Sequence, residues 1–429
     1  MRRIFFTFLS LFAAFAANAQ VWDGTSKIWT NGKGTEAEPY LIETAENLAC
    51  LSEKVRAGET FEGMYFKLVN DLDMGKDSHK FSPIGLFYEY ADTENPGVMI
   101  DDSKYFLGVF DGNGKKIDNV HIYYVDTENS IGGTGLFACI SKDAVVKNLT
   151  VGSNSVVEGT NGTGTFVGAM TGGKVENCVN MASINITQDL GQGGIVGTLY
   201  GGVVSGCINY ADIKGSTNVG GIAGYVDNGA LIENCYNRGV IDFSGFYAGG
   251  LVGFLYDGTL KNCYNGGKTV DNFTGSAVVG TTEKGAKIEN CYYLGTDDGA
   301  SDDNTGVARK TADEMKSDDF LAALDNGQNV WKKDVNGING GFPLLAWQDS
   351  GTASVGSPVK VDKIAVVVNG HNVSALVDGP YKITVTDLGG KTVANKVLNG
   401  GTLFVAEKGV YVVTVSAGGN TSSSKVLIK

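Results

Sequence analysis

Histidine is almost missing from this sequence: His79, His121 and His371 are the three copies. They stand far apart, and no His or Cys spacing matches a zinc site. His-Glu-x-x-His, Gly-x-Ser-x-Gly and the Gly-x-x-x-x-Gly-Lys-Ser/Thr phosphate loop are all absent, so the signatures of zinc peptidases, serine hydrolases and phosphate loops are lacking. Gly-Asn-Gly at 112–114 reads as a turn. Proline is scarce too, with 6 copies in 429 residues, whereas glycine reaches 62. That glycine content is about twice ordinary usage. Without a Gly-X-Y period it excludes collagen and suits tight turns between short strands. Positive charge is in deficit, since 34 Lys and Arg face 47 Asp and Glu for a net charge of −13. Nucleic acid and anionic membrane surfaces demand a basic face, and neither is expected as a partner. Beyond the first residues, no apolar run is long enough to span a bilayer.

The amino terminus is the exception. Met1-Arg2-Arg3, the apolar run Ile4 to Ala16 and Ala17-Asn18-Ala19 have the form of a secretory signal peptide, residues 1–19. No cysteine follows the cleavage point, which argues against a bacterial lipid anchor. Removing Arg2 and Arg3 leaves 32 bases against 47 acids, a net charge of −15. The expected mature chain is secreted or extracellular, surface-associated, and has no transmembrane segment.

What is present is a repeat. Gly220-Gly221-Ile222-Ala223-Gly224 returns as Gly249-Gly250-Leu251-Val252-Gly253, and Asn234-Cys235-Tyr236-Asn237 returns as Asn262-Cys263-Tyr264-Asn265. A period of this length, between 20 and 50 positions, signals stacked structural units. Seven cysteines in an exported chain invite a disulfide framework. However, Cys178, Cys207, Cys235, Cys263 and Cys291 recur once per repeat at a near-constant step. The same step taken backwards from Cys178 lands on Leu149 and then Val120, so the slot asks for an apolar side chain. A column of buried thiols is the favoured reading over bridges between neighbouring rungs.

Three positions before the slot stand Ile117, Val146, Val175, Val204, Ile232, Leu260 and Ile288. Inward positions three apart break the period of two of a flat strand. The chain must therefore turn at the intervening Asn119, Asn148, Asn177, Asn234, Asn262 and Asn290, with Gly206 in the remaining copy. Asparagine tolerates left-handed backbone and bonds to nearby peptide groups, which suits such a corner. Each repeat reads as three short strands, exemplified by 219–226, 230–235 and 239–243. Stacked, they give an all-β parallel β-solenoid over 66–300, with seven or eight rungs and a length of roughly 35 to 40 Å.

Open solenoid ends need lids. Thr44 introduces a helix over 45–56 with Leu48, Leu51 and Val55 on one stripe, within an N-terminal cap at 20–65. Thr311 opens a second helix bearing Met315, Leu321 and Leu324. With Trp331 and Gly341-Phe342-Pro343-Leu344-Leu345, it forms a C-terminal cap at 301–348. An insertion at 87–104 is a long loop between rungs. A Gly/Ser linker at 349–358 precedes a small β-sandwich at 359–429, with strands at 363–368, 381–386, 403–406, 411–416 and 425–428.

These residues resemble a known family. Gly193-Gly194-Ile195-Val196-Gly197, its two later copies and the recurring Glu-Asn-Cys are similar to the GLUG-motif repeat of bacterial surface proteins, over roughly 130–295. Some adhesins and the immunoglobulin-A-cleaving metallopeptidases carry such repeats. The stretch 34–42, Asn70-Asp71-Leu72-Asp73, Pro83-Ile84-Gly85 and Phe110-Asp111-Gly112-Asn113-Gly114 are similar as well. The resemblance implies a β-solenoid at the cell surface and, with the zinc motif absent, no peptidase activity. The ending at 409–415 and 425–429, with Thr386-Asp387-Leu388-Gly389-Gly390-Lys391, resembles the C-terminal sorting domains of type IX secretion in Bacteroidetes. That resemblance implies contact with secretion machinery through 359–429.

Two functional readings follow. The first is an adhesin-like binding protein, without catalysis, cofactor or metal, that presents a repeat face to a host or matrix glycoprotein or polysaccharide. Tyr236, Tyr264 and Tyr292 follow the inward slot and are expected to face outward as an aromatic strip for a ligand. Tyrosines that merely shield a sheet surface would show the same spacing. The second reading is a carbohydrate-active β-helix enzyme, a polysaccharide lyase or hydrolase, with Asp71, Asp73, Asp111 and Asp118 converging in the first rungs. Asp at turns and strand edges is the simpler account of those four. Calcium at Asp101-Asp102 or Asp297-Asp298 lacks a full oxygen-ligand loop.

Overall fold

The structure is a computed structural model. It describes residues 21–75, 78–92, 94–95, 97–124, 132–186, 190–270, 274–283, 285–295, 299–349, 365–369, 372–376, 380–387, 391–399, 403–405, 407–417 and 420–428. The leader, Asp297-Asp298 and His371 lie outside these residues, as does nearly all of the expected linker. The chain divides into two compact units, Met1–Val355 and Gly356–Lys429.

The first unit is a parallel β-solenoid of about eight turns. One turn shows how the sequence winds: Thr217–Gly220, Ala223–Val226, Ala230–Glu233, Tyr236–Asn237 and Ile241–Phe243 are its strands. The first four pair in parallel with their copies in the next turn, so that Ala223 lies beside Val252, Ile232 beside Leu260 and Tyr236 beside Tyr264, while Ile241–Phe243 pairs with the copy before it. A turn thus carries five strands where three were expected. Two of the expected strands are each cut by a corner, one at Gly221-Ile222 and one at Asn234-Cys235.

The asparagine corner has a simple geometry. Asn119, Asn148, Asn177, Asn234, Asn262 and Asn290 all sit at φ between 51° and 54°, and Gly206 takes 61°. The left-handed residue swings the chain so that Ile232 and Cys235 both point into the core, where both are fully buried. The sheet ladder is interrupted there, and sulfur fills the gap. Cys235 Sγ donates to Glu233 O at 3.2 Å and accepts the Cys207 amide at 3.3 Å, while Cys263 Sγ accepts the Cys235 amide at 3.3 Å. Where Val120 occupies the slot, Ser155 Oγ accepts its amide instead, at 3.2 Å.

A second asparagine column lies inside. Asn180, Asn209, Asn237 and Asn265 are buried, and each of the first three donates from Nδ2 to Oδ1 of the next at 2.7, 2.7 and 2.9 Å. Buried amides persist only when paired. Here each one also closes the local turn, as Asn237 does by accepting the Gly239 amide and donating to its carbonyl. Gly221 leaves room for that column: a Cβ placed there would fall 2.5 Å from Asn237 Cγ.

At the N-terminal end, helix α1, Ala45–Arg56, begins at a Thr44 capping box and buries Leu48, Leu51 and Val55. The segment after the last turn behaves differently from a terminal lid. Val307–Lys310 adds one more parallel strand beside Cys291–Leu294. Helices α2, Ala312–Met315, and α3, Asp318–Asp325, then lead to Trp331, Phe342 and Leu345. These pack sideways on the outer face of the sheet, against Val179, Ile208, Tyr236 and Tyr264, one residue from each successive turn. The insertion forms an antiparallel hairpin, Glu89–Ala91 with Met99–Asp101. Phe87 and Tyr105 at its base cover Cys139 and Ala169 on a different outer face.

The second unit has two antiparallel sheets. One contains Ala365–Asn369, Asn372–Leu376 and Leu403–Phe404. The other contains Pro380–Asp387, Thr392–Asn399, Gly409–Ala417 and Asn420–Ile428. Val373, Ile383, Val385, Val413 and Val415 are among its buried core.

Candidate functional site: an aromatic face on the solenoid

The slot residues Val120, Leu149, Cys178, Cys207, Cys235, Cys263 and Cys291 all lie in the solenoid core at 0 or 1% exposure. All seven cysteines of the chain, Cys50 and Cys139 included, are free and buried. Desolvation is the leading influence on each thiol of the column, and it holds Cys178, Cys235 and Cys291 well above the usual thiol range.

The tyrosine strip requires a correction. Tyr236 and Tyr264 do point away from the core and stack, with ring centroids 4.9 Å apart and planes within 4°. Both are nonetheless 0% exposed, because the C-terminal segment lies over them. Tyr264 donates to Pro343 O at 2.7 Å and accepts from Asn339 at 2.6 Å. The Tyr236 hydroxyl meets Tyr210 at 2.6 Å. Tyr292 is half-buried against Phe320 at 5.0 Å. An outward aromatic column is greasy enough to need cover, and the chain supplies that cover itself. This strip is an internal docking surface.

The acids of the first turns are tied to corners. Asp71 accepts the Lys116 amide, Asp73 the Gly75 amide and Asn119 side chain, and Asp111 the Asn113 amide and Asn148 side chain. Asp118 is half-buried, which alone would raise its pKa. The Lys116 ammonium at 2.9 Å and the amides of Asn119 and Asn154 bring it below the ordinary carboxylate range. Asp101 accepts from Ser103 and Tyr105, and Asp102 from Tyr90. Among the described residues, no group of three or more His, Cys, Asp or Glu is arranged to hold a metal ion. His121 is half-buried and bonds Glu158 at 3.0 Å, while His79 stands beside Trp22.

The accessible aromatics are elsewhere. The sheet of strands Phe137–Ile140, Val167–Met170, Val196–Leu199, Ala223–Val226, Val252–Leu255 and Val279–Thr282 turns one residue per strand outward. In order these are Cys139, Ala169, Thr198, Tyr225, Phe254 and Thr281. The insertion covers the first two, and aromatics take over beyond it. Tyr225 meets Phe254 at 5.4 Å, Tyr200 at 5.7 Å and Tyr256 at 6.4 Å. Tyr247 adds an edge at 5.8 Å from Phe254, and Phe246 follows it at 6.2 Å. Phe246 is 61% exposed and Tyr247 39%. Tyr247 also has φ of 61°, an uncommon conformation for a bulky residue.

Carboxylates surround these rings. The backbone ladder places Tyr200, Asp227, Tyr256 and Glu283 in one column, through amide bonds to Met170, Leu199, Val226 and Leu255. Tyr225 donates to Asp227 at 3.1 Å. Glu89 of the insertion is near enough to Tyr200 to help raise the pKa of its hydroxyl, after burial. Sequence reasoning passed over this face, although its signal was present. Phe254 follows Tyr225 by one turn of the repeat, and Tyr256 follows Tyr200 by two.

Comparison with known proteins finds the repeat. Residues 215–242 and 244–271 match the model of the family described as "The GLUG motif". These two turns carry Tyr225, Tyr247, Phe254 and Tyr256. A protein of Evansella cellulosilytica, named as a Gly-rich membrane protein, is 33% identical over 152 residues. The match covers 35% of this chain and 15% of that relative, so the chain spans a small part of its length. No solved structure matches. Among the described residues, no helix is long and apolar enough to cross a membrane. Two turns of the β-solenoid, within residues 215–271, are thus GLUG-motif repeats.

Proposed function

We propose that this is a secreted, surface-associated solenoid of adhesin type that binds polysaccharide or the glycan of a host or matrix glycoprotein along its aromatic face, with no chemistry of its own. One observation carries the reading: Tyr225, Phe254, Tyr256 and Tyr247 form a contiguous, partly exposed ring cluster across adjoining turns. Exposed apolar patches of this kind mark interaction sites, and tyrosine supplies both a flat ring for a pyranose face and a hydroxyl for its rim. A regular solenoid offers such rings at a fixed pitch, which suits a polymer.

The test is a glycan-array profile of the mature chain beside a Tyr225→Ser, Phe254→Ser, Tyr256→Ser variant of matched thermal stability. Loss of the bound glycans in the variant is expected, and an unchanged profile would reject the aromatic face. Release of reducing ends or unsaturated sugars from a bound polysaccharide would favour the enzymatic reading. We assign residues 359–429 to export. Deleting them should leave the protein in the periplasm, and undiminished surface display would remove that role.

A further inference from the structure

The ligand class of the aromatic face can be narrowed from its charge. We infer that this face selects a polysaccharide bearing free amino groups, a de-N-acetylated hexosamine polymer, over neutral or acidic glycans. The inference rests on the aromatic face being a glycan site at all.

Three features point the same way. First, the charges that act on the rings are negative. Tyr200 feels Glu89 and Asp227, Tyr225 feels Asp227, and Glu89 itself feels Asp101. After burial, which is the larger cause, these neighbours raise the pKa of all three groups, and the hydrogen bond from Tyr225 to Asp227 at 3.1 Å places a carboxylate directly beside the rings. Second, the order along one column is ring, carboxylate, ring, carboxylate: Tyr200, Asp227, Tyr256, Glu283. An ammonium group between two tyrosines meets an aromatic face and a counter-charge together, the arrangement that favours cation binding over neutral stacking. Third, turns repeat at ~4.8 Å, close to the length of one pyranose unit in an extended β-1,4 chain. In such a chain the amino groups alternate sides, so those on one side can follow the carboxylates of every second turn, Asp227 and Glu283. The acidic balance of the chain, 47 Asp and Glu against 34 Lys and Arg in the full sequence, attracts such a polymer over longer range.

The experiment measures binding of the full mature chain to a glucosamine hexamer, its fully N-acetylated counterpart and hexalysine. The glucosamine hexamer should bind at least about tenfold more tightly than the acetylated one, the scale of one or two partly desolvated cation–π and ion-pair contacts. A Glu89→Gln, Asp227→Asn, Glu283→Gln variant should lose that preference, bringing the two affinities together. A Tyr225→Ser, Phe254→Ser variant should weaken both. Equal affinity for the two sugars overturns the charge inference and leaves the glycan face standing. Hexalysine bound as tightly as the amino sugar, with the same dependence on both variants, overturns it in favour of a basic peptide. No binding to either sugar overturns the amino-sugar inference, and ring-independent binding overturns the glycan reading itself.

Discussion

At the scale of single residues, the solenoid depends on side chains that satisfy backbone groups at its corners. Asn237 receives the Asn209 amide, gives its own to Asn265 and closes on Gly239. Replacing it with Ala takes the acceptor from the Asn209 side chain and the Gly239 amide and the donor from Asn265 Oδ1, at about 1–3 kcal/mol per unsatisfied group. Urea unfolding of Asn237→Ala should therefore show a loss of at least that size. Asn234 stands in left-handed backbone at φ 53°. Asn234→Gly should be nearly neutral, as Gly206 is in the equivalent corner, whereas Asn234→Val should cost about 1–2 kcal/mol. The thiol column gives a direct chemical readout. Unreduced protein should show almost no thiol reactivity when folded and all seven sulfhydryls in denaturant; fewer than seven would mean bridges. The left-handed Asn corner and the inward Cys slot were both legible from spacing. The inner Asn column was not, although its asparagine repeats in the sequence, because polarity alone gives no sign of a side chain bonded to its own copies.

At the scale of elements, the C-terminal segment decides which aromatics a ligand can reach. Asp325 anchors it, accepting the amides of Asn329, Val330 and Trp331 at 2.7–2.9 Å. Burial pushes this carboxyl up, but those amides outweigh it and leave its pKa below the ordinary range. A lowered folded-state pKa means the contribution is present above the ordinary value near 3.9 and is lost as pH falls through the depressed one. The segment should loosen in acid below about pH 4. Trp331 fluorescence, followed against pH, should report that loosening, and Asp325→Asn should remove most of the dependence. Tyr264→Ala removes a buried ring and its bonds to Pro343 and Asn339, a change of about 3–5 kcal/mol by analogy with buried aromatic truncations. Faster proteolysis of residues 301–349 is the expected consequence, and an unchanged rate would show the docking to be weak. The tyrosine spacing showed that these rings leave the core. It held no information on cover, since that comes from a segment distant in the chain, as in the Tyr236–Gln348 bond.

At the scale of the whole molecule, each turn touches chiefly its neighbours, so stability should be nearly additive in turns. Tandem duplication of residues 215–242 should give a folded protein longer by ~4.8 Å. Its urea midpoint should equal or exceed the parent's, and small-angle scattering would report the length. Collapse of that variant would show that the lateral segment fixes the number of turns. The sequence by itself determined the winding. One apolar slot per repeat, with a corner residue ahead of it, leaves the chain one economical way to bury its core, and that pattern is local and periodic. Which outer face stays open was settled by tertiary structure alone. The insertion shields one stretch of one sheet and the C-terminal segment shields another, and the described residues leave the acidic aromatic surface of Tyr225 and Phe254 partly exposed. Periodicity fixes the direction in which a side chain points, whereas exposure depends on what else in the chain comes to rest upon it.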